Sequence, residues 1–136
     1  MNVLIYAFRD DSENHLEYRS WLDSVINGDS TYGISPHVLS SLVRICTNPR
    51  VYRKPSQLEE TLNFCNVLLE QPQCQVIQPG ARHWSIFNRL CLEERVIGNL
   101  IPDAWFAALA IESGCEWITT DGDYKRFKEL SQRRPF

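Results

Sequence analysis

Between Pro102 and Asp123 the sequence runs through a helix, a strand and an acidic turn with almost nothing between them. Pro102 stands where a first helical turn tolerates a missing N–H. Ala104, Ala107, Ala108 and Ile111 then recur at helical spacing on the buried side, and Gly114 ends the helix. Cys115–Thr119 is short, apolar and β-prone, and it leads directly into Thr120-Asp121-Gly122-Asp123. Elements of this kind alternate along the rest of the chain, which predicts an α/β sandwich with a mostly parallel sheet.

The other elements are read the same way. Asn2–Ala7 (NVLIYA) predicts a buried strand. Tyr18, Trp21, Leu22, Val25 and Ile26 predict a helix over about 12–27, with Gly28 just past its end. Ser35-Pro36 is an N-cap followed by Pro at the first helical position, and that helix should stop before Asn48-Pro49. Ser56-Gln57-Leu58-Glu59 fits a capping box, after which Leu58, Leu62, Cys65 and Leu69 make one apolar stripe. Gln75–Gln78 predicts a short strand, Trp84, Phe87, Leu90 and Cys91 a helix, and the segment after Asp123 a short helix. There is no internal repeat, low-complexity tract or linker, so residues 1–136 are expected to be one domain.

Composition excludes several classes. With 43% hydrophobic and 23% charged residues the chain is not a disordered tail. Its longest uncharged apolar run, Ala104–Ile111, is far short of the roughly 18 residues that span a bilayer. Arg9, Asp10 and Asp11 follow the apolar start with no small-residue cleavage site, so a signal peptide is not expected and the location is read as cytoplasmic. The five cysteines (46, 65, 74, 91, 115) form no C-x-x-C pair, which suits reduced, buried thiols better than disulfides or zinc. The three histidines (15, 37, 83) lack metal-ligand spacing. Net charge is −3, yet Arg44, Arg50, Arg53 and Lys54 cluster without an acid. Lys125, Arg126, Lys128, Arg133 and Arg134 stand against Glu129 alone. Local potential of this kind can hold phosphates on an acidic protein, although charges alone favour a solvated face.

Open parallel sheets place ligands beyond the C-terminal ends of their strands. Asp121 and Asp123 follow such a strand, and Asp103 lies in the first turn of the preceding helix. If both loops open on one edge the three carboxylates converge, and they repel unless a cation joins them. Hard oxygen ligands suit Mg²⁺ or Mn²⁺, which can activate water and neutralise a phosphodiester transition state. The plainer reading is that Asp103 complements the helix dipole and that Asp121 and Asp123 form a turn around Gly122. Spacing alone leans toward the latter.

The stretch Gly98-Asn99-Leu100-Ile101-Pro102-Asp103-Ala104, then Ala107–Ala110, Gly114 and Thr119-Thr120-Asp121-Gly122-Asp123-Tyr124-Lys125-Arg126-Phe127 resembles the C-terminal half of PIN-domain ribonucleases. Within them it resembles VapC toxins of bacterial toxin–antitoxin pairs. Arg44 with Thr47-Asn48-Pro49-Arg50, Trp21-Leu22 and the closing Arg133-Arg134-Pro135-Phe136 resemble the subgroup abundant in mycobacteria. The resemblance implies a PIN-like α/β/α sandwich and Mg²⁺-dependent RNA cleavage, with Mn²⁺ as a substitute. Asp103 and Asp121 match the family's metal-binding acids and Asp123 the more variable acid. Thr119 matches the hydroxyl residue two positions before Asp121, and Asn2 the polar residue two positions after the family's first aspartate. The basic segments 44–54 and 124–134, with Arg44, Lys125 and Arg126, would position the backbone of an RNA substrate, and the resemblance further implies a small antitoxin partner and a homodimer.

Two positions depart from the pattern. The family's first aspartate would fall two residues before Asn2, outside these 136 residues, and its frequent second acid falls on Ser41. The alternative reading is therefore a catalytically inactive PIN domain that only binds RNA or antitoxin. A receiver-type phosphotransfer domain is disfavoured, because neither the phosphorylatable Asp nor the later Lys is suitably placed. In-frame codons just upstream of Met1 are expected to encode an aspartate two residues before Asn2. A stop codon directly before Met1, together with full ribonuclease activity from the 136-residue chain, would contradict this.

Overall fold

Asn2–Phe8 forms a helix (α1), not the strand its β-prone residues predict. A short apolar run cannot be assigned by periodicity alone. Val3, Leu4, Ile5 and Ala7 are all buried, as they would be in a strand covered on both faces, and the hydrogen-bond pattern decides for helix. The Leu4 and Ile5 N–H groups donate to the Met1 carbonyl, and the Arg9 N–H closes the helix on Ile5.

A computed structural model describes all residues, Met1–Phe136. The chain forms two compact units, Met1–Val76 with Pro135–Phe136, and Ile77–Arg134. In the first, α1 packs on α2 (His15–Ile26) and α3 (Pro36–Cys46). α3 begins as predicted, with the Ser35 hydroxyl accepting from the Val38 N–H and Pro36 in the first turn, and ends at Cys46. α4 (Leu58–Glu70) follows, and β1 (Tyr32–Ile34), which the sequence did not suggest, pairs in parallel with β2 (Cys74–Val76).

Two expectations about α4 are corrected. Its N-cap is Gln57, with no side-chain cap, so there is no capping box. Ser56 instead accepts from Arg9 at 2.9 Å. The buried stripe is Thr61, Cys65 and Leu68, while Leu58 and Leu62 are exposed. Thr61 can sit in the core because its hydroxyl donates to the Gln57 carbonyl at 2.8 Å.

Arg9 is the polar centre of this unit. Its guanidinium is 7% exposed and lies 3.6 Å over the Tyr52 ring. It donates to both carboxylate oxygens of Asp11 (2.9 and 2.6 Å), to the Ser56 hydroxyl and to the Lys54 carbonyl at 3.0 Å. One planar fork thus ties the end of α1 to the loop between α3 and α4. Beneath it, burial raises the Cys46 thiol to about 11, so this cysteine is an inert core group.

The second unit holds α5 (His83–Glu94), α6 (Ile101–Ser113), β3 (Trp117–Ile118) and β4 (Gln132–Arg133). α6 is buried nearly all round: Ala104, Phe106, Ala107, Ala108, Leu109 and Ala110 are all in the core. Its alanines let α5 approach closely. Gly114 closes α6 at φ 68°, a left-handed position where a side chain would be strained. On α5 the buried face is His83, Ile86 and Leu90, one position round from the predicted stripe, and Trp84 is 63% exposed. His83 is a core histidine, its Nε2 donating to the Trp105 carbonyl at 3.0 Å. β3 pairs in parallel with β4, a strand absent from the sequence reading. Parallel pairing in both units agrees with the α/β expectation.

Arg9→Met should destabilise the protein by about 2–4 kcal/mol in urea denaturation, because a buried cation–π contact and the partners of Ser56 and Lys54 are lost together. Asp11→Asn should cost no more than about 1 kcal/mol, since Asp11 is 55% exposed. The Arg9 guanidinium holds the Asp11 carboxyl below its ordinary range. The contribution of Asp11 is therefore present above its unfolded pKa and fades as the pH falls through the lower folded value. A larger loss from Asp11→Asn than from Arg9→Met would contradict the ranking.

Candidate active site

Three aspartates of the second unit meet at one point. Asp103 is in the first turn of α6, and Asp121 and Asp123 are on the turn that leaves β3. One oxygen from each lies within 4.8 Å of the others.

The turn is built by side chains. The Asp121 N–H donates to the Thr119 hydroxyl at 3.0 Å, and the Asp123 N–H donates to Asp121 Oδ1 at 2.9 Å. Asp121 thereby caps the single 3₁₀ turn Gly122–Arg126. Thr119 is 6% exposed, so its hydroxyl is committed to the turn. Gly122 is not at positive φ, and space around it is open. The turn-forming and ion-binding readings of Asp121 are compatible, because a carboxylate capping through Oδ1 keeps Oδ2 free for another role.

Asp103 shows which influence dominates. A helix N-terminus by itself would favour the charged form. Its carboxyl is nonetheless raised above the ordinary range, first by burial and further by the charges of Asp121 and Asp123. The Tyr124 hydroxyl, hydrogen-bonded to Asp103, and the Arg126 charge act in the opposite direction without reversing the sign. Two full charges at 4.8 Å repel by roughly 3 kcal/mol at an effective dielectric of about 20. The repulsion involving Asp123, 55% exposed, is weaker.

Of the other residues the sequence singled out, Arg126 is drawn into the loop. Its Nε donates to the Asp123 carbonyl at 3.0 Å and its Nη2 lies 3.9 Å from the Asp123 carboxylate. Lys125 and Lys128 are exposed on either side. Arg133 is paired with Glu116 at 2.7 Å. Arg44 is exposed in the last turn of α3, and Asn2 is the first residue of α1; both belong to the N-terminal unit.

The sequence reading missed Tyr124. Its ring is 5% exposed, and burial with the Asp103 charge pushes its phenol well above the ordinary tyrosine range. The available signal was an aromatic residue three positions after Asp121, on a turn otherwise made of polar residues.

The chain belongs to the PIN-domain family, whose model matches residues 1–130. Within that family it is of the VapC type. It is 36% identical to VapC ribonuclease Mb2897 of Mycobacterium bovis over 135 residues, covering 99% of this chain and 92% of the relative. It is 35% identical to ribonuclease VapC31 of Mycobacterium tuberculosis over 134 residues, covering 98% and 94%. In fold it resembles VapBC2 from Rickettsia felis, solved bound to a DNA fragment from its promoter, at TM-score 0.71 and 21% identity over 98% of this chain and 93% of that one. It also resembles VapBC-1 from nontypeable Haemophilus influenzae, at TM-score 0.65 and 17% identity over 98% and 92%. The PIN-like α/β fold is thereby established.

Metal-free Asp103→Asn protein should melt at or above the temperature of the parent at pH 7. Because the folded pKa of Asp103 is raised, its carboxylate opposes folding fully above that pKa and not at all below its unfolded value near 3.9. The gain should therefore vanish on acidification through that window, as followed by thermal denaturation. A clear loss of stability at pH 7 would mean that Asp103 is a structural acid.

Proposed function

We propose that the protein is a VapC-type endoribonuclease toxin that cleaves RNA with Mg²⁺ or Mn²⁺. The observation that carries this reading is the convergence of Asp103, Asp121 and Asp123 to within 4.8 Å. The donor set fits such an ion: it is all oxygen, it is anionic, and the one cation paired with it in the structure, Arg126, lies at 3.9 Å from Asp123. Relatives of at least 34% identity named as ribonucleases support the activity.

Asp103 and Asp121 would hold the ion, with Asp123 completing its surroundings or orienting water. Held there, a divalent cation lowers the pKa of water and offsets the charge gathering on a phosphodiester. Thr119 keeps the Asp121 backbone in its capping position, so the carboxylate faces the cluster before any ligand arrives. Lys125 extends into solvent beside the acids and would take a backbone phosphate, together with Arg126. Hydrolysis by activated water needs no ribose 2′-hydroxyl nucleophile and no catalytic histidine.

The resembling VapBC structures support a small antitoxin as protein partner, and we extend the proposal to a homodimer. A cytoplasmic location is part of the proposal; no helix is long and apolar enough to cross a membrane.

Asp103→Asn and Asp121→Asn should each lower Mg²⁺-dependent cleavage of single-stranded RNA by at least ~100-fold, the loss of several kcal/mol of transition-state stabilisation. Folded, nuclease-free variants that cleave normally would refute the site. An inactive parent that still binds RNA would favour the binding-only reading. Lys125→Ala should flatten the salt dependence of RNA affinity by about 0.7 log units. The Arg53/Lys54 double alanine variant should change it less, and the reverse order would place the RNA along a different path.

A further inference from the structure

We infer that Tyr124 is a positioning residue for the acidic site, its hydroxyl setting where the Asp103 carboxylate stands relative to Asp121 and Asp123. This rests on the metal-site reading above.

Asp103 comes from α6 and the other two acids from the turn after β3, so their separation depends on how these segments are joined. Tyr124 belongs to that same turn and reaches across to Asp103 through its hydroxyl. The side chain has little freedom. Its ring packs against Trp117 (centroids 5.3 Å apart) and Phe127 (6.3 Å), and Trp117 stacks in turn on Phe106 of α6 at 5.7 Å. Its backbone is fixed too, with Gln132 Nε2 from β4 donating to the Tyr124 carbonyl at 2.8 Å. A donor held from both ends can hold a carboxylate rotamer against the repulsion of two neighbouring acids.

The hydroxyl is not needed for packing. At 5% exposure a phenylalanine would fill the same volume and bury no polar group. What the tyrosine adds is one directed O–H, and that O–H is spent on Asp103. Partners of metal-ligating carboxylates commonly govern affinity for the ion by 10–100-fold.

The test is titration of the metal-free, full-length protein with Mn²⁺, followed by electron paramagnetic resonance of the free ion and without RNA. Tyr124→Phe should weaken Mn²⁺ binding about 10–100-fold, while circular dichroism and the chromatographic profile match the parent. Asp103→Asn run alongside should remove most of the binding, placing the ion on the cluster. A folded Tyr124→Phe variant with parental Mn²⁺ affinity would overturn the inference and leave the metal site standing. A variant that unfolds would also overturn it, by showing that the hydroxyl serves the core. A parent that binds no Mn²⁺, or an Asp103→Asn variant that binds it normally, would defeat the metal-site reading itself and the role of Tyr124 with it.

Discussion

Three carboxylates brought within 4.8 Å of one another are an arrangement that a folded chain sustains only by holding them there. Like charges at that range favour separation or protonation, and Asp103, half-buried in the first turn of α6, bears the consequence in its raised pKa. Much of the C-terminal unit works against this repulsion. Backbone N–H groups at 121 and 123 are directed to the Thr119 and Asp121 side chains, the Tyr124 hydroxyl meets Asp103, and Arg126 draws near Asp123. Behind them, Phe127 is fully buried, and the Phe106–Trp117–Tyr124 ring series leaves the turn little room to relax. A cluster prepared in this way has met its reorganisation cost during folding, which is the general condition for strong preorganised electrostatics.

The N-terminal unit solves a different problem with one residue. Arg9 stands at the end of an apolar helix and satisfies a hydroxyl, a carbonyl and a carboxylate while covering the Tyr52 ring. Lysine could not repeat this geometry, because a single ammonium lacks the planar fork. The loop from Asn48 to Ser56 is therefore anchored by a side chain distant in sequence as well as by its own turns. The same contact explains why the apparent capping box is not used: the Ser56 hydroxyl already accepts from Arg9.

The family pattern and the bare chemistry of the acids led to the same three positions by separate routes. The pattern marked Asp103, Asp121 and Asp123 by neighbouring residues, and charge repulsion argued that a cluster of them would call for a cation. In the structure the turn-forming role and the convergence of the carboxylates coexist. Asp121 caps the 3₁₀ turn through one oxygen, and Asp123 lends its N–H to that cap. Turn chemistry is how the carboxylates come to face one another.

Elements whose signals are local were legible in the sequence. Ser35-Pro36 opens α3 and Gly114 closes α6, because caps and backbone angles are set by the residue at that position. The acidic trio was legible because its members sit at a helix start and a strand end. Other features were settled only by tertiary packing. Asn2–Phe8 closes local helical hydrogen bonds while burying Val3, Leu4, Ile5 and Ala7, a choice between helix and buried strand that short apolar periodicity does not carry. The stripes of α4 and α5 are turned from their predicted positions because Thr61 and His83 find backbone partners that allow burial, while Leu62 and Trp84 do not find cover. β1 and β4 are too short to signal themselves and exist through the strands they pair with. The place of Tyr124 belongs to this second group, since a hydroxyl's partner across 21 positions of chain (124 − 103) is determined by the fold that brings Asp103 beneath it.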